Sequence, residues 1–530
     1  MGAAVCASFG FFVVSPSYSR IILMTFEHLL QGAEILSASG NAAVRSLAYD
    51  SRRVQPGSVF IAMRGEASDG NRFIDQAIAA GAVAVVTDST TEPPRSGVAW
   101  AQVPHGRRAL ARLSANFYKR PAERLALTGI TGTNGKSTTS FLVESILAQA
   151  GRKSALMGTI EYHVAGRLLP APHTTPESLE LNQMLAEALA TGASEAVMEV
   201  SSHALEQQRV FAIPFDVAVF TNLTRDHLDY HHTMDSYFAA KKILFAGCGT
   251  DPPRVAVLNL DDEYGRQLTS FSRRQGSQIL SYGLAAGDFH AKSVVITARG
   301  TRFDLHTPHE TLALFSPLIG KVNVYNILAA TAAACARGCS REAIVNGIRA
   351  VARVPGRFER VDCGQPFTVV VDYAHTDDAL SNLTTVAREF VTRGGQKAKV
   401  ITVFGCGGDR DRAKRPLMGE AAGRGSDFVV LTSDNPRSED ALAIINDALV
   451  GLQRSGAKYA VEPDRGAAIA LAIRQAVPGD IVLIAGKGHE SVQVCREGPR
   501  PFNDVQVARQ SLEAAGYECQ TASAGAGKPS

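Results

Sequence analysis

Cysteine is scarce in this chain of 530 residues: eight in all, standing singly, with no Cys-x-x-Cys pair and none of the dense spacing of a small disulfide scaffold. That pattern fits a reducing cytosol, where cysteines serve mainly as small core residues. Cys406, although it sits in a glycine-rich loop, is given no catalytic role. Long apolar runs are missing too. None approaches the ~20 residues that cross a bilayer, and the longest, such as Ile481 to Ala485, have the length of buried strands. No membrane span is expected. Charge of one sign is also lacking: the formal net charge is +3, with no concentrated basic patch, so no nucleic-acid or membrane-surface partner is expected.

What is present is the material for several packed cores, 45% hydrophobic and 20% charged residues, and three domains are expected from the length. The first 23 residues are apolar and serine-rich, with one Arg and no acid, and precede a second methionine, Met24. A start codon assigned too far upstream is the preferred reading of residues 1–24; a targeting peptide and an ordered extension are the alternatives. Residues 521–530 are small and polar and are expected to be disordered.

Between these ends the chain alternates strand-like and helical segments. Ser58 to Met63 and Val83 to Thr87 read as strands around a helical Arg72 to Ala80. Another helical stretch, Arg107 to Tyr118, ends before Pro121 and the next strand, Leu125 to Ile130. A second break falls at Val354-Pro355-Gly356. Beyond it, Phe367 to Val371, Lys399 to Phe404, Phe428 to Thr432 and Ile481 to Ala485 are apolar runs a helix apart, the mark of a parallel sheet covered on both faces. The unusual residues follow the carboxyl ends of these strands, where open α/β sheets place ligands.

The first such segment is TGTNGKST, Thr131 to Thr138, between a strand and an amphipathic helix. Backbone N–H groups of Gly132, Thr133, Asn134 and Gly135, with the helix start at Ser137 and Thr138, can cradle a triphosphate. Lys136 would reach the β- and γ-phosphates, and the Ser137 hydroxyl would ligate magnesium. Ile130 stands where a standard phosphate loop has its first glycine. A glycine-rich turn with a solvated lysine is the bland alternative.

This GTNGKS form resembles the phosphate loop of the Mur ligase family, and the likeness runs from Asp50-Ser51-Arg52 to Gly486-Lys487-Gly488-His489-Glu490. The resemblance implies three α/β domains: an amino-terminal UDP-sugar-binding domain over 25–121, a central P-loop ATPase-like parallel-sheet domain over 122–355, and a carboxyl-terminal Rossmann-like amino-acid-binding domain over 356–520. Glu199 in MEVSSH and His227 in TNLTRDHLDYH resemble ligands of a second magnesium, and Lys241 matches a lysine carbamylated by carbon dioxide. A lysine amine, with an ordinary pKa of roughly 10.4, is a poor neighbour for magnesium; its carbamate is an oxygen donor suited to a hard cation. Alone, Lys241 or His227 would pass as an ordinary side chain. Asn326, Arg357, Asp372, Tyr373 and His375 resemble residues that hold the nucleotide, although Asp377 stands where the family commonly has Pro.

The outer regions carry the choice of substrates. Ser51, with Glu66 to Ser68 as weaker candidates, resembles the UDP-sugar contacts; His173, Thr174, Thr175, Ser201, Gln207 and Arg209 match positions that hold the muramoyl peptide, Arg209 being able to pair with a carboxylate. Asp434, Asn435, Pro436 and Arg437 resemble the signature of the family's diaminopimelate-adding branch, completed by Arg410, Gly486 and Glu490, the last placed for the distal ammonium. Diaminopimelate differs from lysine by a distal carboxylate, which the planar fork of Arg437 fits, and loss of that contact is expected to cost roughly 3 kcal/mol or more.

The expected activity is ATP-dependent addition of meso-2,6-diaminopimelate to the D-glutamyl γ-carboxylate of UDP-N-acetylmuramoyl-L-Ala-D-Glu, through an acyl phosphate, in the cytoplasm of a bacterium and by a monomer. Closure of the third region on the second, hinged near Val354 to Gly356, would bring the reactants together. The alternatives are the same fold with L-lysine as the amine, a folate-glutamylating relative, and a non-catalytic nucleotide-binding scaffold. Retention of Lys136, Ser137, Glu199, His227 and Lys241 together weighs against the scaffold.

Overall fold

Strands with apolar residues on both faces need cover on both sides, and three sheets receive it. The computed structural model describes residues 24–519 apart from 66–67, 91–96, 298 and 394–397. The amino-terminal extension as far as residue 23, the tail, and two of the weaker sugar-site candidates, Glu66 and Ala67, lie outside the described residues.

In the first sheet Ser46–Ala48, Ser58–Ala62, Ala84–Thr87 and Ala99–Gln102 run parallel, with Ser37–Ser39 antiparallel at one edge. The helix Gly106–Phe117 lays Leu110 and Leu113 against Val59, Ile61 and Val86. Pro121 then opens the short 3-10 turn Pro121–Arg124, a position where its missing N–H costs nothing.

The second sheet has eleven strands. Its centre is parallel, in the order Ser154–Met157, Glu195–Glu199, Ala126–Thr131, Val217–Phe220, Val255–Asn259, Gln278–Gly283. Successive side chains take opposite faces: Val197 and Val219 pack with Ile146 and Ile327, while Met198 and Phe220 pack with Leu185 and Leu244. The expected parallel sheet forms this centre, and antiparallel strands extend it at both edges. Glu161–Val164 and Arg167–Pro170 form an antiparallel hairpin at one, and Phe289–Thr297, Gly300–His306 and Thr311–Ser316 a meander at the other. The last strands of the meander alternate buried and more exposed residues, so one covered face suffices and the connections need no helix.

The third sheet orders Thr368–Asp372, Ile481–Ala485, Val400–Phe404, Phe428–Leu431 and Lys458–Val461 in parallel, with Glu359–Val361 antiparallel at the edge. Val369 and Val371 pack with Ile469 and Leu512, and Val370 with Leu383 and Ala387, one layer on each face. No helix among the described residues is long and apolar enough to cross a membrane.

One pair of cysteines departs from expectation: Cys363 and Cys519 form a disulfide. The helix Asp504–Ala514 buries Ala508 and Leu512 in the same core as Val361 and Val369, which carries the chain after it back to the edge strand. A partner 156 residues away leaves no trace in local spacing. Cys248 and Cys406 are buried free thiols.

Candidate active site

The phosphate loop leaves the strand Ala126–Thr131 and enters the helix Lys136–Gln149 with Gly132 and Gly135 both at positive φ, 147° and 88°. Side chains are excluded there for a second reason. A Cβ at Gly132 would lie 1.9 Å from Thr221 Oγ1, and one at Gly135 would lie 2.4 Å from Asn326 Oδ1. The loop is pinned from the neighbouring strand end as well: the Thr133 N–H donates to Asn222 O at 2.8 Å and the Asn134 N–H to Asn222 Oδ1 at 2.9 Å. Thr138 and Ser137 are buried at the helix start. Lys136 folds back, Nζ donating to Gly132 O at 3.0 Å and Thr133 O at 2.8 Å.

Lys241 reaches the same carbonyl from the helix Met234–Ala246, Nζ to Gly132 O at 2.9 Å, and is only 1% exposed. Burial, and then the like charge of Lys136, hold its amine well below the usual lysine range. Burial lowers Lys136 as well, against the pull of Glu199. Glu199, at the end of its strand and 0% exposed, accepts from the Thr159 N–H at 2.8 Å and the Thr159 hydroxyl at 2.9 Å. His227 caps a short helix at φ 54° and stands edge-on to His203, with Nε2 3.4 Å from Asp226 Oδ2. Burial, only partly opposed by Asp226, keeps its imidazole neutral, pushed down to about 3. Two lysines, a buried carboxylate and a neutral imidazole thus surround the open side of the loop.

Residues of the third region close over this set. Arg357 Nη2 lies 3.2 Å from Ser137 Oγ, and its guanidinium stacks 4.7 Å from the centre of the Tyr373 ring. Asp372 accepts from the Phe358 and Ala374 N–H groups at 2.7 and 2.8 Å, shaping the turn; burial raises its carboxyl, with Arg357 opposing. His375 Nε2 stands 3.6 Å from Asp226 Oδ2. Asn326 is buried, its Nδ2 donating to Asn323 Oδ1 at 3.0 Å. The turn at Gly356 is tight: Gly356 has φ 65°, and a Cβ there would sit 2.1 Å from the His489 backbone nitrogen.

The peptide-side candidates fall on the loops after Glu195–Glu199 and before the helix Ser178–Ala190. Thr175 Oγ1 donates to Glu199 O at 2.9 Å and accepts from the Ser201 N–H at 3.0 Å; Ser201 caps the helix Ser202–Glu206. Thr174 Oγ1 is 3.1 Å from Thr159 Oγ1, and the His173 carbonyl accepts from Tyr162 OH at 2.5 Å. The Arg209 guanidinium is already engaged, by Glu177 Oε1 at 2.8 Å, Thr175 O at 3.1 Å and Gln207 Oε1 at 2.7 Å. Ser51 lies apart from these in the first region, opening a 3-10 turn with its hydroxyl on Gln76 Oε1 at 3.2 Å.

Around Arg437 the third region gathers groups of both charges. Arg437 has φ 53°; its N–H donates to Val494 O at 2.9 Å and Nη1 to Gly408 O at 2.6 Å. Burial and the nearby Arg410 lower it, while Asp434 and Glu490 pull the other way. Pro436 is buried with its carbonyl against Gly408, where a Cβ would come within 1.9 Å. Gly486, at φ 118°, leaves room for Asp434 Oδ2, which a Cβ would meet at 2.5 Å. Asn435 Nδ2 donates to Glu490 Oε2 at 2.8 Å.

Several residues at the centre were not singled out from the sequence. Asp226, inside the quoted TNLTRDHLDYH, gathers His227, His375 and Lys414, the last at 3.4 Å, and these neighbours hold its carboxyl well below the usual range despite burial. Asp378 Oδ2 accepts from Asn134 Nδ2 at 3.1 Å across the seam. Thr159, which holds Glu199, follows no motif, and only spatial neighbours identify it. Among the described residues no three His, Cys, Asp or Glu side chains cluster as a metal site.

Comparison with known proteins places these features. The Mur ligase middle domain matches residues 130–334, the Mur ligase glutamate ligase domain 356–488, and the Mur ligase family catalytic domain 43–118. The chain is 56% identical over 475 residues to a UDP-N-acetylmuramoyl-L-alanyl-D-glutamate–2,6-diaminopimelate ligase of Solibacter usitatus, covering 89% of this chain and 94% of that one. The protein of the same name from Geobacter metallireducens is 46% identical, over 93% and 100%. A solved structure of such a ligase aligns at a TM-score of 0.66 and 34% identity over 94% of this chain and 100% of the other. A folylpolyglutamate synthase of Mycobacterium tuberculosis, at 19% identity, TM-score 0.59 and coverage of 78% and 96%, shares the fold.

Proposed function

The chain belongs to the Mur ligase family, and from that premise we infer that it is an ATP-dependent ligase adding meso-2,6-diaminopimelate to the D-glutamyl γ-carboxylate of UDP-N-acetylmuramoyl-L-alanyl-D-glutamate, a step in peptidoglycan precursor synthesis. The observation that carries the choice of amine is that Arg410 and Arg437 flank Gly407 in the region where Asn435 donates to Glu490 at 2.8 Å, and that this region reaches the phosphate loop through Arg357. A distal carboxylate and ammonium on one carbon need both signs of charge side by side. Lysine offers only one.

The reaction class divides the work. The γ-carboxylate takes the γ-phosphoryl group of ATP, and the resulting acyl phosphate is attacked by the free amine, giving amide and phosphate. Lys136 is proposed to leave its loop carbonyls for the β- and γ-phosphates, exchanging weak acceptors for charged ones. Arg357, already at Ser137, would bind phosphate from the opposite side, and Tyr373 holds its plane. Asn326 keeps the turn at Gly135 open to the nucleotide.

Magnesium, when bound, would supply charge neutralisation for the transferring phosphoryl group. Ser137, Glu199, His227 and Lys241 would hold that ion: Glu199 is a fully buried oxygen donor, and a neutral imidazole keeps a lone pair. Carbamylation of Lys241 is part of the proposal. A neutral amine is the nucleophile that carbon dioxide requires, and a buried lysine facing a second lysine is held in that state.

On the peptide side, Ser51 is proposed for the UDP-sugar, and His173, Thr174, Thr175, Ser201, Gln207 and Arg209 for the muramoyl dipeptide. With its guanidinium tied to Glu177, Arg209 would act by shaping the loop or by exchanging Glu177 for a substrate carboxylate. The domain limits at 121/122 and 355/356 are likewise proposed, supported by the Pro121 turn and the tight turn at Gly356.

The test is product identification by mass after incubation with UDP-muramoyl dipeptide, ATP and either diaminopimelate or lysine. The expected product is the diaminopimelyl tripeptide with one ADP. Equal turnover with lysine would overturn the choice of amine, and ATP consumption with neither would overturn the ligase.

A further inference from the structure

Behind the amine pocket lies a lysine whose charge the reaction does not use. Lys487, in the loop after the strand Ile481–Ala485, is 0% exposed. Its Nζ donates to Asn435 Oδ1 at 2.9 Å and to Glu490 Oε2 at 2.8 Å. Asn435 Oδ1 also accepts from the Val494 N–H at 2.9 Å, so its amide has one orientation, with Nδ2 turned to Glu490 Oε2. Glu490 Oε2 therefore takes two donors from the protein. The carboxylate that faces the incoming amine is already offset by a buried cation.

A second buried pair of this region cancels in the same way. Arg465 and Asp504, both 0% exposed in their side chains, are joined at 2.7 and 2.8 Å. Around Gly407 this leaves Arg410 and Arg437, opposed by Asp434 and the exposed Asp409. A lysine molecule, whose far end is a bare ammonium, would meet a half-neutralised carboxylate beside two guanidiniums. Diaminopimelate brings its own carboxylate to them.

We infer that Lys487 is a specificity-determining residue: by offsetting Glu490 and fixing the Asn435 amide, it makes the pocket select for the distal carboxylate of the amine over the distal ammonium. This rests on the assignment of the Arg437 pocket to the amine. Lys487 touches no reacting atom and acts through Asn435 and Glu490, so it is a positioning residue. Arg437 supplies the attraction for the carboxylate, and Lys487 removes the competing attraction for an ammonium alone.

The first experiment uses the unaltered protein with three amines: meso-diaminopimelate, α-aminopimelate, which keeps the distal carboxylate and lacks the distal ammonium, and L-lysine, which has the reverse. The expected order of kcat/KM is diaminopimelate, α-aminopimelate, lysine, the last two separated by about tenfold or more. Lysine equal to or better than α-aminopimelate would overturn the inference, and this comparison does not depend on any variant folding. Lys487→Met is then expected to lower the α-aminopimelate-to-lysine ratio by about tenfold, with the KM for ATP unchanged. A parallel loss with all three amines would mean a purely structural role and would also overturn it. Activity with diaminopimelate and an unmoved ratio sinks this inference alone; no activity with any amine sinks the ligase reading and takes the inference with it.

Discussion

At the phosphate loop, Lys136 and Lys241 are buried side by side and donate to backbone carbonyls, two to one oxygen, while in the amine pocket Lys487 and Arg465 are each matched by a carboxylate within hydrogen-bonding distance. With carbonyl oxygens as its hydrogen-bond partners, Lys136 keeps its charge free to pair with an anion that arrives with the nucleotide. Opposite charges paired in the second leave little net field, so a ligand is chosen by where its charges fall rather than by how many it has. One half of the site binds by unspent charge; the other discriminates by geometry.

That contrast can be broken at either end. The largest effect is expected from Lys136→Met, which removes the reserve: turnover measured by ADP release should fall by about 10³-fold, with diaminopimelate affinity little changed. Next comes Arg437→Ala, expected to lower kcat/KM for diaminopimelate by roughly 3 kcal/mol, on the order of a hundredfold, and to leave the KM for ATP alone. A drop in ATP use of the same size as in amine use would show that the halves are not separable.

Arg357→Ala tests the seam between them. It removes the cation that meets Ser137, and the KM for ATP should rise by about tenfold while the preference among amines stays fixed. The smallest effect is expected from removing carbon dioxide and bicarbonate from the assay. If Lys241 carries a carbamate, activity should drop by only about a few-fold and return on adding bicarbonate, since the modification re-forms on a neutral amine. Loss of that dependence in Lys241→Glu with activity retained would sharpen the assignment; bicarbonate-independent activity in the unaltered protein would remove it.

The two halves also differed in how far the sequence exposed them. The phosphate loop is a contiguous string whose glycines answer to backbone geometry, so Gly132, Gly135 and Lys136 can be read in order. Four strands of the third sheet were equally open to reading, because burial on both faces leaves an unbroken apolar run such as Ile481–Ala485, whereas the edge strands Glu359–Val361 and the largely exposed Lys458–Val461 were not. The meander Phe289–Ser316 was not, since one covered face gives an alternating pattern that a search for apolar runs passes over. In the amine pocket Arg437 and Glu490 lie in motifs, but that Lys487 neutralises Glu490 and that Arg465 reaches Asp504 depend on packing between distant segments. Asp226 and Asp378 were hidden for the same reason, each lying beside a motif residue and taking its partners across the seam. The disulfide at Cys363 and Cys519 follows the docking of the last helix, and no spacing announces it.

The claim at the centre is that the phosphate half activates the carboxylate of the sugar peptide before the amine half delivers its nucleophile. A heavy-oxygen label placed in the D-glutamyl γ-carboxylate tests it directly, by mass analysis of the inorganic phosphate formed with ATP and diaminopimelate. The account predicts one labelled oxygen in each phosphate released, carried there when the acyl phosphate collapses. Phosphate free of label, formed at the same rate as the amide, would contradict it.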